Sequence, residues 1–215
     1  MSAEHRSEDQ GLSAPVPENA AWASAELPLP QQPLFDFLSN TERLFRLNPH
    51  LEIDAWNQQP NQAGTRIYRL NALNETNGCR SEVSIRAVPL GDGSGYILEY
   101  DRGLKRATEL RIAPAPGGSL LTITDHYHPV SDDSDERLKE VDRSLVPWAT
   151  AIRDHLKRLA RFGKLPGYRW WAERLMLGMP PRQRRIVRMI VWVSVLEFVV
   201  FLFVALIFWL ESQPS

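Results

Sequence analysis

The sequence predicts an α+β protein: an antiparallel β-sheet packed on one long helix, with a membrane-spanning helix after it. Three observations carry this. Six stretches between 51 and 128 alternate apolar with polar residues and are separated by turn signals. Apolar residues from Leu138 to Leu159 recur at three- and four-residue spacing. Met189 to Leu210 is a run of 22 residues with one charge, Glu197.

In chain order, residues 1–18 are rich in Ser, Glu, Pro and Ala without a hydrophobic period and read as a disordered leader. Ala21 to Leu29 alternates and stops at Pro30, a first strand. Pro33 opens a short helix, where its missing N–H does no harm. Asn40-Thr-Glu-Arg starts a second, ending before Asn48-Pro49 because a residue preceding proline avoids the α region. Strands are expected at about 51–58, 64–74, 79–89, 95–102, 106–113 and 119–128, with hairpins at Asn77-Gly78, Gly91-Asp-Gly-Ser-Gly95 and Pro114-Ala-Pro-Gly-Gly118. Val83, Ile85 and Ala87 share one face and Arg80, Glu82 and Arg86 the other, which marks a sheet wet on one side. Asp133 with Glu136 forms a capping box for the long helix. Pro147 lies inside its apolar stripe and predicts a kink.

The apolar run at Met189 to Leu210 is about 33 Å long as a helix, enough to cross a hydrocarbon core of about 30 Å. Trp192 and Trp209 stand near its ends, where amphipathic rings favour the headgroup level. Arg182, Arg184, Arg185 and Arg188 precede it and no Lys or Arg follows, so the positive-inside rule places the N-terminal part in the cytoplasm, on the inner membrane of a bacterial host. The first ten residues lack a signal-peptide core, and the single Cys79 suits a reducing compartment. The divisions are therefore a leader (1–18), a globular domain (19–163), a basic interfacial linker (164–185), a single-pass transmembrane helix (186–210) and a short tail (211–215).

The net charge of −1 hides an asymmetry. Residues 1–152 hold 14 Lys and Arg against 22 Asp and Glu, whereas residues 153–188 hold 11 against two. A basic collar beside a span attracts anionic membrane lipid; the acidic domain makes nucleic acid a poor partner. Tyr168 to Leu177 reads as an amphipathic interfacial piece. Its apolar face would be Tyr168, Trp171, Ala172, Leu175 and Met179, with Trp170 and Leu177 off the stripe, and the adjacent Trp170 and Trp171 suggest seating among headgroups. Pro180-Pro181 separates it from the span. Glu197 is costly in a bilayer and is expected to meet a partner helix.

Strand, two short helices, a six-strand meander and a long helix occur in the order of a known superfamily. Leu34-Phe-Asp-Phe-Leu-Ser-Asn-Thr-Glu-Arg with Asn48-Pro49, and Gly117-Gly-Ser-Leu-Leu-Thr-Ile-Thr-Asp before the long helix, carry the resemblance. Residues 20–162 resemble the START-like (SRPBCC) superfamily of polyketide cyclases, coenzyme Q-binding proteins and lipid-transfer domains. The resemblance implies a helix-grip fold whose curved sheet holds the long helix across an apolar cavity. Strand alternation puts Tyr96, Leu98 and Tyr100 on one face with Leu110 and Ile112, and Leu121, Ile123, Asp125 and Tyr127 beside them. Closed by Trp148 and Ile152, these residues line a ligand cavity or fill a solid core.

Function divides three ways. A membrane-anchored module would bind a lipid, quinone or other apolar small molecule. A cyclase- or hydratase-like enzyme would use Asp125 with Tyr100 or Tyr127 as its polar pair. An interaction protein would partner another membrane protein. His126 and His128 share a strand face, but no third ligand is near in sequence and no metal site is expected. No phosphate loop, dinucleotide fingerprint or nucleophile elbow is present, so neither a cofactor nor a catalytic residue is assigned.

Overall fold

Residues 19–60, 65–129 and 143–211 are described by a computed structural model. The expected leader, the Asp133–Glu136 capping box, Leu138, Val141 and the tail after Glu211 lie outside the described residues.

Seven strands form one antiparallel sheet: β1 (Ala20–Leu27), β2 (Leu51–Gln58), β3 (Arg66–Asn74), β4 (Arg80–Pro89), β5 (Gly95–Tyr100), β6 (Lys105–Ala115) and β7 (Gly118–Tyr127). Their order, β1-β7-β6-β5-β4-β3-β2, is a meander from β2 to β7 that β1 extends by pairing with β7. Each strand lies where alternation placed it, with ends shifted by a few residues. Gly95 opens β5 because a Cβ there would stand 1.8 Å from the Leu110 carbonyl oxygen, so only glycine lets β5 and β6 close up.

Helices α1 (Gln31–Leu38) and α2 (Thr41–Arg46) connect β1 to β2. Asn40 starts α2 by accepting a 3.0 Å hydrogen bond from the Arg43 N–H, satisfying one of the donors left over at a helix start. The long helix α3 (Leu145–Phe162) packs on β1 and β7 through Leu145, Trp148, Ala149, Ile152, His155 and Leu156. Two hydrogen bonds fix it: the Trp148 indole N–H donates to the Leu44 carbonyl (2.8 Å), and the Asn48 amide donates to the Ser144 hydroxyl (2.7 Å). Asn48 of the Asn48-Pro49 pair thus joins the end of α2 to the start of α3.

Two expectations are corrected. Arg143 and Ser144 are non-helical, so Pro147 is the third residue of α3 rather than a mid-helix interruption. A first-turn proline has no helical hydrogen bond to lose, and the kink expected there has no cause. The segment after α3 does not present the expected amphipathic face. Gly167, in the left-handed region (φ +80°), turns the chain into α4 (Tyr168–Trp170), which continues as a π-helical turn at Trp171–Met176. A π turn carries one more residue than an α turn. It brings Ala172, Met176 and Leu177 inward, leaves Leu175 and Trp170 exposed, and makes Leu177 part of the core. Arg43 binds this segment from α2, donating to Glu173 (3.1 Å) and to the Phe37 carbonyl (3.2 Å). Residues 172–177 therefore pack on the domain through Ala172, Glu173, Met176 and Leu177, whereas 164–167, Arg169 and Trp170 are exposed.

Helix α5 (Pro181–Glu211) begins directly after Pro180, as the proline pair predicted. It is long and apolar enough to cross a membrane, and its apolar window is wholly unburied by the rest of the chain. Its first turn is held to the domain: Pro181 and Arg184 are buried, and Arg185 pairs with Glu75 at 3.1 Å.

Candidate functional site

The concave face of the sheet carries the residues singled out as a cavity lining. Register confirms that they share it: Tyr96 opposes Leu110, Leu110 opposes Ile123, and Ile112 opposes Leu121. Leu98, Leu110, Leu121, Ile123 and Ile152 are at most 1 % exposed and form one cluster with Ile112 and Trp148. An aromatic series spans the side toward β2, with ring centroids 5.5 Å apart for Trp148 and Phe45, 5.4 Å for Phe45 and Trp56, and 5.1 Å for Trp56 and Tyr68. Tyr96 is half-buried and stacks on Phe35 of α1 at 4.7 Å; burial raises its phenol pKa.

At one end of this strip lies a buried polar group. Thr108 donates a 2.5 Å hydrogen bond to Asp125 Oδ1, so Thr108 Oγ1 must accept from the Tyr100 hydroxyl 3.0 Å away. Lys105 Nζ stands 2.7 Å from Asp125 Oδ2, an ion-pair separation without an aligned hydrogen bond on that oxygen. Asp125 is completely buried. Sequence reasoning found Asp125 and Tyr100 but neither Thr108, which joins them, nor Lys105. Plain alternation along β6 puts Lys105 on the outer face; a bulge between Lys105 and Ala107 turns it inward to oppose Tyr127. No residue pattern marks that bulge.

The two histidines do not join this group. His126 approaches Glu109 at 3.5 Å, and His128 is exposed beyond the end of β7. The Asp125 carboxylate is already engaged by a hydroxyl and an ammonium, so it resembles a satisfied buried charge more than a base awaiting a substrate.

The second concentration of chemistry is at the start of α5. A groove of about 550 Å³ runs between α2 and the π-helical segment, lined by Asn40, Glu42, Arg43, Arg46, Glu173, Arg174, Leu177 and Gly178. A smaller cavity of about 210 Å³ continues under α5, lined by Arg46, Leu51, Ile53, Asp54, residues 178–181 and Arg184. Of the residues expected at a membrane interface, Trp170, Arg182, Arg185 and Arg188 are exposed and Trp171 is half-buried, but Arg184 is 6 % exposed and faces the domain. Burial, then the neighbouring Arg188, Arg46 and Arg185, lower its pKa to about 10. His155 of α3 is similarly surrounded. Burial first, then Arg158, Arg43, Arg188 and Arg184, lower its pKa to about 4, and its buried Nε2 has no hydrogen-bond partner. Glu197 lies on the exposed surface of α5, within its apolar stretch.

No family model matches the sequence, and no curated protein matches it. Solved structures do. A START superfamily protein from Mycobacterium smegmatis aligns with a TM-score of 0.51 at 14 % identity, over 66 % of this chain and 99 % of that one. The Zhui aromatase/cyclase from Streptomyces sp. R1128 aligns at 0.49 and 14 % identity, over 67 % and 97 %. The aligned share of this chain matches the size of its seven-stranded domain. That domain has the helix-grip fold of START-superfamily proteins, and a candidate membrane span follows it.

Proposed function

We propose that this protein is a membrane-anchored binding module for an amphipathic small molecule, a lipid or quinone-like compound, held between the sheet and α3. One observation carries the reading: an apolar strip from Tyr96 to Ile123 ends at a single polar group, Tyr100–Thr108–Asp125–Lys105. Ligand sites of this kind are mostly apolar with few placed polar groups. Such a strip suits a molecule with an apolar body and one carbonyl or hydroxyl. Helix α5 is the anchor, and its arginines favour a cytoplasmic domain. Fold alone does not assign a ligand.

The side chains between sheet and α3 form one buried cluster, and the Trp148–Leu44 bond ties α3 to α2 beside it, so a ligand there displaces some of this filling. That filling favours a second reading, an interaction protein whose partner is another membrane protein met through Glu197 of α5. A cyclase-like reaction is a weaker reading, because Asp125 is engaged by Lys105 and Thr108.

Native mass spectrometry of the full chain purified in mild detergent separates these. The binding module retains an apolar molecule, and Ile123→Trp abolishes its retention with a small change in melting temperature. A wild type that carries nothing, with a strong loss of stability in Ile123→Trp from overpacking, would contradict it. Reporter fusions at Met1 and Ser215 test the orientation; a cytoplasmic signal from Ser215 alone would reverse it.

A further inference from the structure

We propose that the cavity beneath the first turn of α5 is a phosphate-binding site, with Arg184 as its buried cation and Arg46 as its second, and that its occupant is the headgroup of an anionic phospholipid. Arg184 is more than nine-tenths buried, its Nε is unpartnered, and it pairs with no carboxylate among the described residues. An uncompensated buried guanidinium is costly, and a fold keeps one where an anion completes it. The acids beside it are committed elsewhere. Asp54, which lines the same cavity, pairs with Arg80 at 2.5 Å; Glu42 pairs with Arg46 at 2.8 Å; Glu75 pairs with Arg185 at 3.1 Å. Arg46 spends only its Nε on Glu42, leaving both terminal nitrogens for a ligand.

The helix itself adds to the deficit. The N-terminal end of an α-helix carries partial positive charge and favours anions. The first turn of α5 has no acidic residue and instead holds Arg182, Arg184 and Arg185. Charges of the wrong sign for a helix start, one of them buried, leave a place for a doubly or singly charged phosphate. The cavity of about 210 Å³ has room for one, being several times the ~30 Å³ share of a water molecule. Its level also fits a lipid. Arg184 precedes Met189 by five residues, about 7.5 Å along a helix, which is the depth of a headgroup layer outside the hydrocarbon core. The lipid source of the phosphate rests on α5 spanning the bilayer; the phosphate site itself does not, nor does it rest on a ligand in the sheet interior.

Full-length protein in neutral detergent tests this with two probes, short-chain phosphatidic acid followed by native mass spectrometry, and inorganic phosphate followed by melting temperature at constant ionic strength. Arg184→Gln is expected to weaken phosphatidic acid binding at least about tenfold, as loss of a charge-assisted contact does, whereas Arg182→Gln on the exposed side of the same turn weakens it clearly less. Arg46→Gln is expected to weaken it as well, in a protein whose Arg184 is intact. Stabilisation by inorganic phosphate without retention of phosphatidic acid would keep the site but overturn its lipid occupant. Equal losses in Arg182→Gln and Arg184→Gln, or no loss in Arg184→Gln with either probe, would overturn the site.

Discussion

The concave face of the sheet and the junction with α5 both bury charge, but they treat it differently. On the concave face, Asp125 meets a hydroxyl from Thr108 and the ammonium of Lys105, and the Thr108 hydroxyl accepts in turn from Tyr100. At the junction, Arg184 is surrounded by other arginines, and His155 Nε2 and Arg43 Nε are buried without partners. Buried polar groups are normally satisfied within a fold. By charge the first region is balanced, Lys105 facing Asp125 although Oδ2 has no aligned hydrogen bond, and the second is short of negative charge. A balanced network holds structure together, whereas an unbalanced one points to something outside the chain.

The largest expected effect tests the balance at Asp125. Asp125→Ala removes the buried acceptor of the Thr108 hydroxyl and the carboxylate that faces Lys105, and should destabilise the protein by about 3 kcal/mol. Asp125→Asn keeps an acceptor for Thr108 and should cost less. Melts of both variants measure this; indifference to Asp125→Ala would show that the network contributes little.

A comparable effect is expected from pH at the junction. His155 titrates at about 4 when folded, below its ordinary value of 6.5, so the unfolded chain binds more protons between those values. Stability is complete above about 6.5 and falls as pH drops toward 4, by about 3 kcal/mol at about 1.4 kcal/mol per pH unit. His155→Gln should flatten that part of the profile. Asp92 and Asp101, whose pKa values are lowered by hydrogen bonds from Ser94 and Ser84 and by nearby arginines, lose their contributions only at lower pH. An unchanged slope between 6.5 and 4 in His155→Gln would remove His155 from the unsatisfied group.

Smaller effects sharpen the contrast. Trp148→Phe removes the hydrogen bond to Leu44 and keeps most of the ring, an expected loss of about 1 to 2 kcal/mol. Arg185→Gln breaks only an exposed pair with Glu75 and should cost less than about 1 kcal/mol. A loss at Arg185 as large as that at Asp125 would mean that the α5 attachment, and not the sheet interior, dominates stability.

Much of the fold was legible because its signals are local. Alternation located all seven strands, Asn40 marked the start of α2, and Pro180-Pro181 marked the start of α5. The misreadings came where register or turn width changes by one residue. A bulge moved Lys105 to the inner face, and a π turn exchanged Leu175 for Met176 and Leu177. Pro147 predicts a kink because the apolar stripe continues upstream of it, although α3 begins only two residues earlier. The junction was visible as a basic collar, but only the packing of α5 on the domain separates buried Arg184 from its exposed neighbours.

The contrast is tested most directly by one melting experiment on the full chain, wild type and Arg184→Met, in a neutral, phosphate-free detergent with and without phosphatidic acid. Without phosphatidic acid, Arg184→Met should melt at or above the wild-type temperature, because it removes an uncompensated buried charge. With phosphatidic acid, the wild type should gain stability and overtake the variant. A variant that melts well below wild type in the phosphate-free detergent, by the same margin with phosphatidic acid present, would contradict the charge deficit at the junction.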